Sequence, residues 1–122
     1  MTTEERMLKA VTAGNLKQRI EILDPVYSTD GYGNTIIDHE AVDSAWCYIE
    51  QHATQVTETT GEIHLLRKVI IAMRYREGIT PDTWFKLGTK VYRPSGPAID
   101  ACLKKRALFV ECVEEVKHNE TA

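Results

Sequence analysis

Along most of the chain, apolar and polar residues alternate with the period of two that marks β-strands. The pattern is clearest in the middle. Val69-Ile70-Ile71-Ala72-Met73 is an apolar run rich in β-branched residues, and Arg74-Tyr75-Arg76 continues it with alternation. Val69, Ile71, Met73 and Tyr75 then share one face of a strand, and Ile70, Ala72, Arg74 and Arg76 share the other. Glu77-Gly78 breaks the strand. Thr80-Pro81-Asp82 supplies a turn, because proline presets φ and aspartate can bond its own backbone. A short strand over residues 83–87, a tight turn at Gly88-Thr89 and a further strand over 90–93 complete this stretch, the centre of a small sheet.

The flanking segments read in the same way. Residues 16–23 (LKQRIEIL) alternate, with Leu16, Ile20 and Ile22 pointing one way and Lys17, Arg19 and Glu21 the other; Asp24-Pro25 ends or bends this strand. Residues 28–34 (STDGYGN) are a dense turn cluster and a hairpin signal. Their glycines do not make a phosphate cradle, since no Lys-Ser/Thr follows and no helix begins there. Residues 35–50 read as strand again, interrupted around Asp43-Ser44, with Trp46 and Tyr48 on one face and Cys47 and Ile49 on the other. Pro94-Ser95-Gly96-Pro97 breaks the chain, and residues 98–107 fit either one helical turn or a wide basic loop. Residues 108–116 (LFVECVEEV) form the closing strand, with Leu108, Val110 and Cys112 opposite Phe109, Glu111 and Val113.

Two segments depart from the alternation. Residues 4–13 contain good helix formers, with Met7, Leu8 and Val11 at helical spacing and Gly14 where a C-terminal cap would sit. Such a helix could lie over an open end of the sheet or act as an arm that docks on a neighbouring subunit through Met7, Leu8 and Val11. Residues 51–67 (QHATQVTETTGEIHLLR) are polar and Thr-rich and separate two strands by a connection long for a small domain. They read as a surface hairpin or, preferably, as a loop that orders against another subunit, where β-prone Thr and Val can pair edge to edge.

Composition narrows the class without changing the pattern. A chain of 122 residues with 43% hydrophobic and 27% charged residues suits one soluble domain with a single core. The expected division is a helical arm over 1–15, one β-domain over 16–116 and a frayed tail over 117–122. A net charge of −3 argues against a general nucleic-acid binder, which is usually basic. The one basic run, Lys104-Lys105-Arg106, is either solvated surface or a contact for phosphate or an acidic partner. No apolar run approaches a membrane span and no signal peptide is apparent, so no membrane partner is expected. Cys47, Cys102 and Cys112 are odd in number and widely spaced, which favours a reduced compartment over a disulfide framework. His39, His52, His64 and His118 lack metal-ligand spacing, and no HExxH, GxSxG or P-loop occurs. The expectation is no enzyme, no cofactor and no metal. The fold class that follows is all-β: a small six- to seven-stranded barrel or sandwich with a long inter-strand loop and a short N-terminal helix.

The ordered set LKQRIEI, the DGYGN turn, the strand TIIDHEAVDSAWCYIE, a long loop with Glu58 and Gly61, IAMRYREGITP, GTKVY and a closing LFVEC resembles the head–tail joining family of tailed bacteriophages. Its members are also called head–tail adaptor, stopper or head-completion proteins. The likeness covers residues 16–116; the segment before Gly14 and the 94–105 connection depart from it. The resemblance implies a structural protein of the virion neck, made in the host cytoplasm and assembled as a ring of its own copies. Its implied partners are a portal or head–tail adaptor protein on one side and a tail-terminator or tail-completion protein on the other. It also implies that the strand-connecting loop can close the channel on packaged DNA without reading its sequence. By position, that loop comprises Gln51, Thr54, Gln55, Val56, Thr57, Glu58, Thr59, Thr60, Gly61, Glu62, Ile63, His64 and Arg67. Two other readings remain open here. One is a ring that caps the tail tube; the other is an OB-like barrel binding single strands through Trp46, Tyr48 and Lys104, Lys105 and Arg106.

Overall fold

Each strand pairs antiparallel with its neighbours, and the pairing closes on itself. The computed structural model describes the backbone of residues 1–59 and 62–117, with side chains described outside 53–65 and 115–117. After helix α1 (Thr3–Thr12) come β1 (Gln18–Thr29), β2 (Thr35–Thr59), β3 (Glu62–Arg74), β4 (Trp84–Leu87), β5 (Lys90–Pro94), β6 (Ile99–Asp100) and β7 (Ala107–Lys117). The sheet order is β3-β2-β1-β4-β5-β7-β6, and a further β3–β7 pairing joins the ends into a small barrel with β6 beside β7. Closure removes most of the exposed strand edges that an open sheet would present.

The alternation predicted for the central strand is observed, but both of its faces are buried. Val69, Ile71 and Met73 point inward with Ile20, Ile22, Cys47, Phe85, Tyr92, Val110 and Cys112 to fill the barrel. Ile70 and Ala72 point outward and meet Phe109, Ala101 and Ala107 beneath Met7 and Val11 of α1. The helix therefore covers the outer wall of β3 and β7, and this explains an apolar run where plain alternation would have served a one-sided sheet. Its ends are capped locally. Thr2 Oγ1 accepts from Glu5 N–H, and Gly14, at φ 79°, donates to Val11 O while Asn15 N–H reaches Ala10 O.

Burial sets the chemistry of two thiols and a phenol. Desolvation pushes both the Cys47 and the Cys112 thiol up to about 12, so neither is a nucleophile near neutral pH. Tyr92 is raised first by burial and then by the negative charge of Glu114. All three cysteines are free, and Cys102 is half-buried with its N–H held by Glu4 Oε1.

The structure corrects the sequence reading at several points. β1 does not stop at Asp24-Pro25; it runs to Thr29, with Pro25 opposite His39. β4 pairs with β1 only at Glu21–Leu23, so beyond Leu23 the strand has a single partner and the missing proline N–H breaks no second ladder. The interruption near Asp43 is a bulge. Ile22 pairs with Asp43 and Leu23 with Ala41, which leaves Val42 as the extra residue. Residues 98–107 are neither of the two alternatives in full: β6 leads into a tight turn at Ala101–Leu103 with left-handed Cys102, Leu103 and Lys105. The largest correction concerns the long inter-strand loop, which is a ribbon. β2 and β3 pair from Thr54↔Arg67 to Thr59↔Glu62, leaving only residues 60 and 61 between them. Polar Thr-rich composition suggested a loop, but β-branched side chains favour extended backbone and the ladder satisfies the backbone whatever the side chains are.

Candidate functional site

β2 is the spine from which two ribbons leave the barrel in opposite directions. β1 flanks its first half, from Thr35 to Cys47, and β3 flanks its second half, from Cys47 to Thr59. In the second half the edge of β2 away from β3 is therefore unpaired among the described residues, because β1 begins at Gln18 opposite Cys47. A bulge between Gln51 and Thr54 separates this β2–β3 ribbon from the barrel wall. β7 backs β3 as far as His64↔Lys117, so only the last pairs stand as two strands. At the base, Arg67 Nη1 donates to Glu114 Oε1 at 3.2 Å, and Glu114 is 6% exposed. Glu50, nearby, accepts from Arg6 of α1 and from His52 Nε2, and the Arg6 hydrogen bond holds its carboxyl below the usual range.

The β1–β2 ribbon, opposite, has a different surface. From Pro25↔His39 to Thr29↔Thr35 it is two strands only. The register puts Val26 beside Asp38 and Asp24 beside Glu40 on one face, with Ile36 on that same face. Tyr27 and Ile37 are paired on the other face, both 60% exposed. The tip is tied. Asp30 Oδ1 accepts from Tyr32 N–H and Asn34 N–H, Gly33 takes φ 84°, and Tyr32 is left almost fully exposed. Those backbone donors, Asn34 first, lower the Asp30 pKa. The base is anchored by His39, stacked on Trp84 at 3.6 Å with its Nε2 3.0 Å from Asp82 O, and the Arg93 guanidinium lies over the Trp84 ring, 5.2 Å from its centroid.

Where β1 begins and β3 ends, the barrel has a basic end. Arg19 lies 5.8 Å from the ring of Trp46, which is 53% exposed. Beside it is an open groove of about 700 Å³ lined by Leu16, Trp46, Met73, Arg74, Tyr75 and Arg76. Arg76 donates to Asp43 Oδ2 at 2.6 Å, and this bond holds the Asp43 carboxyl below its usual range. Tyr75 N–H bonds to Arg106 O, which joins the groove to the exposed turn of Leu103, Lys104, Lys105 and Arg106. Leu103 is 86% exposed, and Asp100 Oδ1 accepts from Lys105 N–H to hold the turn.

Among the described residues there is no group of three or more His, Cys, Asp or Glu arranged for a metal. No helix among the described residues is long and apolar enough to cross a membrane. A sequence profile described as "Phage head completion protein" matches residues 11–115. The chain belongs to that family. This head completion protein is also similar in fold to a chain in a structure titled "Virion of native gene transfer agent (GTA) particle", with a TM-score of 0.66 and 16% identity over 83% of this chain and 96% of that one. A protein from Shigella flexneri 2a, known from its solution structure, matches with a TM-score of 0.58 and 22% identity over 81% and 92%. No curated protein sequence matches the chain.

The residues singled out from the sequence fare unequally in the head completion protein. Gln51, Thr54, Gln55, Val56, Thr57, Glu58 and Thr59 lie on β2, and Glu62, Ile63, His64 and Arg67 on β3, so the structure brings them together as one ribbon. Thr60 and Gly61 lie outside the described residues. Arg67 is bound to Glu114 at the base of the ribbon. Met7 and Val11 are buried under α1 at 0% and 4% exposure and cannot be partner contacts, because the outer face of β3 and β7 takes them; Leu8 is half-buried. Lys104, Lys105 and Arg106 are exposed. Tyr48 packs below α1, so it does not form a stacking platform with Trp46. Sequence reading gave the hairpin turn at residues 28–34 but not the exposed apolar faces of the β1–β2 ribbon. One signal was available: between Arg19 and Arg67 there is no lysine or arginine, yet this stretch holds half of the chain's 18 acids.

Proposed function

We propose that this head completion protein is a structural joint at the virion neck, several copies forming a ring between the DNA-filled head and the tail, with the β2–β3 ribbons directed at the channel. Membership of the family supports the structural head–tail role. The observation that carries the finer reading is the unpaired outer edge of β2 from Thr54 to Thr59 on a ribbon that projects beyond the closed barrel. An open edge that projects from a closed barrel pairs readily with another strand, and around a symmetry axis the available strands are its own copies. Head-side contact would be with a portal or adaptor protein, and tail-side contact with a tail-terminator or tail-completion protein. Glu58 and Glu62 give the ribbon negative charge, which lets DNA pass without gripping it.

The test is replacement of residues 55–64 by a two-residue turn. The expected product is a folded barrel whose particles leak DNA or fail to join tails. Particles that keep their DNA and join tails normally would show that the ribbon has no such role. Particles lacking the whole protein, run alongside, separate loss of the ribbon from loss of the joint.

A further inference from the structure

Charge is divided within this chain along structural lines. The stretch from Ile20 to Leu66, which contains the β1–β2 ribbon and all of the β2–β3 ribbon but Arg67 at its base, has no lysine or arginine, so all 15 basic residues belong to the remainder. On the β1–β2 ribbon, the exposed Val26 and Ile36 are bordered by Asp24, Asp38 and Glu40 on the same face. At the basic end, the exposed Trp46 and the Met73 groove are bordered by Arg19 and Arg74, continuing through Tyr75 to Lys104, Lys105 and Arg106. Each surface is an apolar centre with a rim mainly of one sign, and the signs are opposite; at the basic end Asp43, paired with Arg76, and Asp100, which holds the turn, are the acids beside it. The chain cannot bring them together itself. Ile36 and Trp46 are ten residues apart on one extended strand, roughly 30 Å at the usual rise per residue.

We infer that the acidic β1–β2 ribbon of one copy docks on the basic end of a second copy, head to tail. The inference rests on the ring reading above and names its interface. Because the two patches differ and lie at different places, the contact is heterologous, the type that closes into a ring when each copy is rotated by the right angle. Asp43 bound to Arg76 within one chain shows the same acid-on-guanidinium contact at the border of the two surfaces. Apolar residues at the centre would supply the area and the charged rims would set orientation and encounter rate. Duplex DNA is the competing occupant of the basic end.

The experiment uses the full chain and two charge-reversed variants at exposed positions, Asp38→Lys with Glu40→Lys and Arg74→Glu with Arg106→Glu. By sedimentation at up to about millimolar protein and low salt, the wild type should self-associate and should return toward monomer near 0.5 M salt, where the Debye length is roughly 4 Å. Each variant alone should associate at least about tenfold more weakly. Mixed in equal amounts they should recover association, since each carries the complement of the other's reversed patch. Ile36→Ser, with all charges kept, should weaken association and thereby report on the apolar centre independently. A wild type that stays monomeric in low salt, or variants that fail to rescue one another, would overturn the interface. Binding of a labelled duplex lost only in the Arg74→Glu, Arg106→Glu variant, without self-association of the wild type, would assign the basic end to DNA instead. Tail joining in complemented particles distinguishes the two levels: a monomeric wild type that still joins heads to tails sinks this interface but leaves the proposed function standing.

Discussion

The strands β1 and β2 pass through two environments, and the same side-chain pattern has opposite fates in them. Within the barrel, Ile20 and Ile22 are 0% and 2% exposed, enclosed by Phe85, Tyr92 and the inward face of β3. A few residues further on, Val26, Tyr27, Ile36 and Ile37 are as apolar and as regularly spaced, yet they are exposed because β4 has already left the edge of β1. Two-stranded ribbons do not have the neighbours to bury a face. The apolar ribbon is tied at its tip by Asp30 and at its base by His39 on Trp84, and contiguous exposed apolar surface of this kind is characteristic of interaction sites in proteins generally. Burial in this protein is decided by how many strands surround a position, and alternation alone does not report that number.

The largest effects are expected inside the barrel. Phe85→Ala opens a cavity at a fully buried centre and should cost about 3–5 kcal/mol in urea denaturation. Next is Arg67→Met, which leaves Glu114 nearly buried without its partner; a loss of about 1–3 kcal/mol is expected, since the guanidinium itself is one-third exposed. On the ribbon the prediction reverses. Tyr27→Ser with Ile37→Ser should change stability by less than about 0.5 kcal/mol, while lowering the yield of tail-joined particles. A loss of stability comparable to that of Phe85→Ala would mean that the ribbon is part of the core after all.

The smallest effect concerns acid. Asp43, beside Arg76, Asp30, capped by backbone N–H groups, and Glu50, bound by Arg6, all have lowered pKa values. Depressed carboxylates contribute stability that is present above their unfolded values, near 4, and lost as pH falls through the lower folded ones. The denaturation midpoint should thus decline below about pH 4, and Asp30→Ala should decline less steeply than the wild type.

How much of this was legible in the chain follows the same division. Where a residue's partners are near in sequence, the reading succeeded: Gly14 capping α1, the Asp30–Asn34 turn, and the Gly88-Thr89 turn between β4 and β5. The inward sets Val69, Ile71, Met73 and Leu108, Val110, Cys112 were also readable, because alternation encodes a face. What alternation does not encode is the number of neighbouring strands. That is why Asp24-Pro25 reads as an end or a bend, residues 51–67 read preferably as a loop, and the exposure of the apolar β1–β2 ribbon is not visible in the sequence. In the candidate site, the residues of the β2–β3 ribbon were identifiable, whereas the basic end depends on three strand ends and a turn meeting in space.

The placing of the three thiols has a practical outcome. Cys47 and Cys112 are sealed in the barrel with ionisation pushed to about 12, while Cys102 is half-buried, at φ 57° in the turn that presents Leu103 and the three basic residues after it. The native chain thus comes with a single addressable handle, sited beside the basic end. A fluorophore or spin label attached there would report the approach of a neighbouring copy without any cysteine being added or removed, and blocked labelling in intact particles would mark that end as covered.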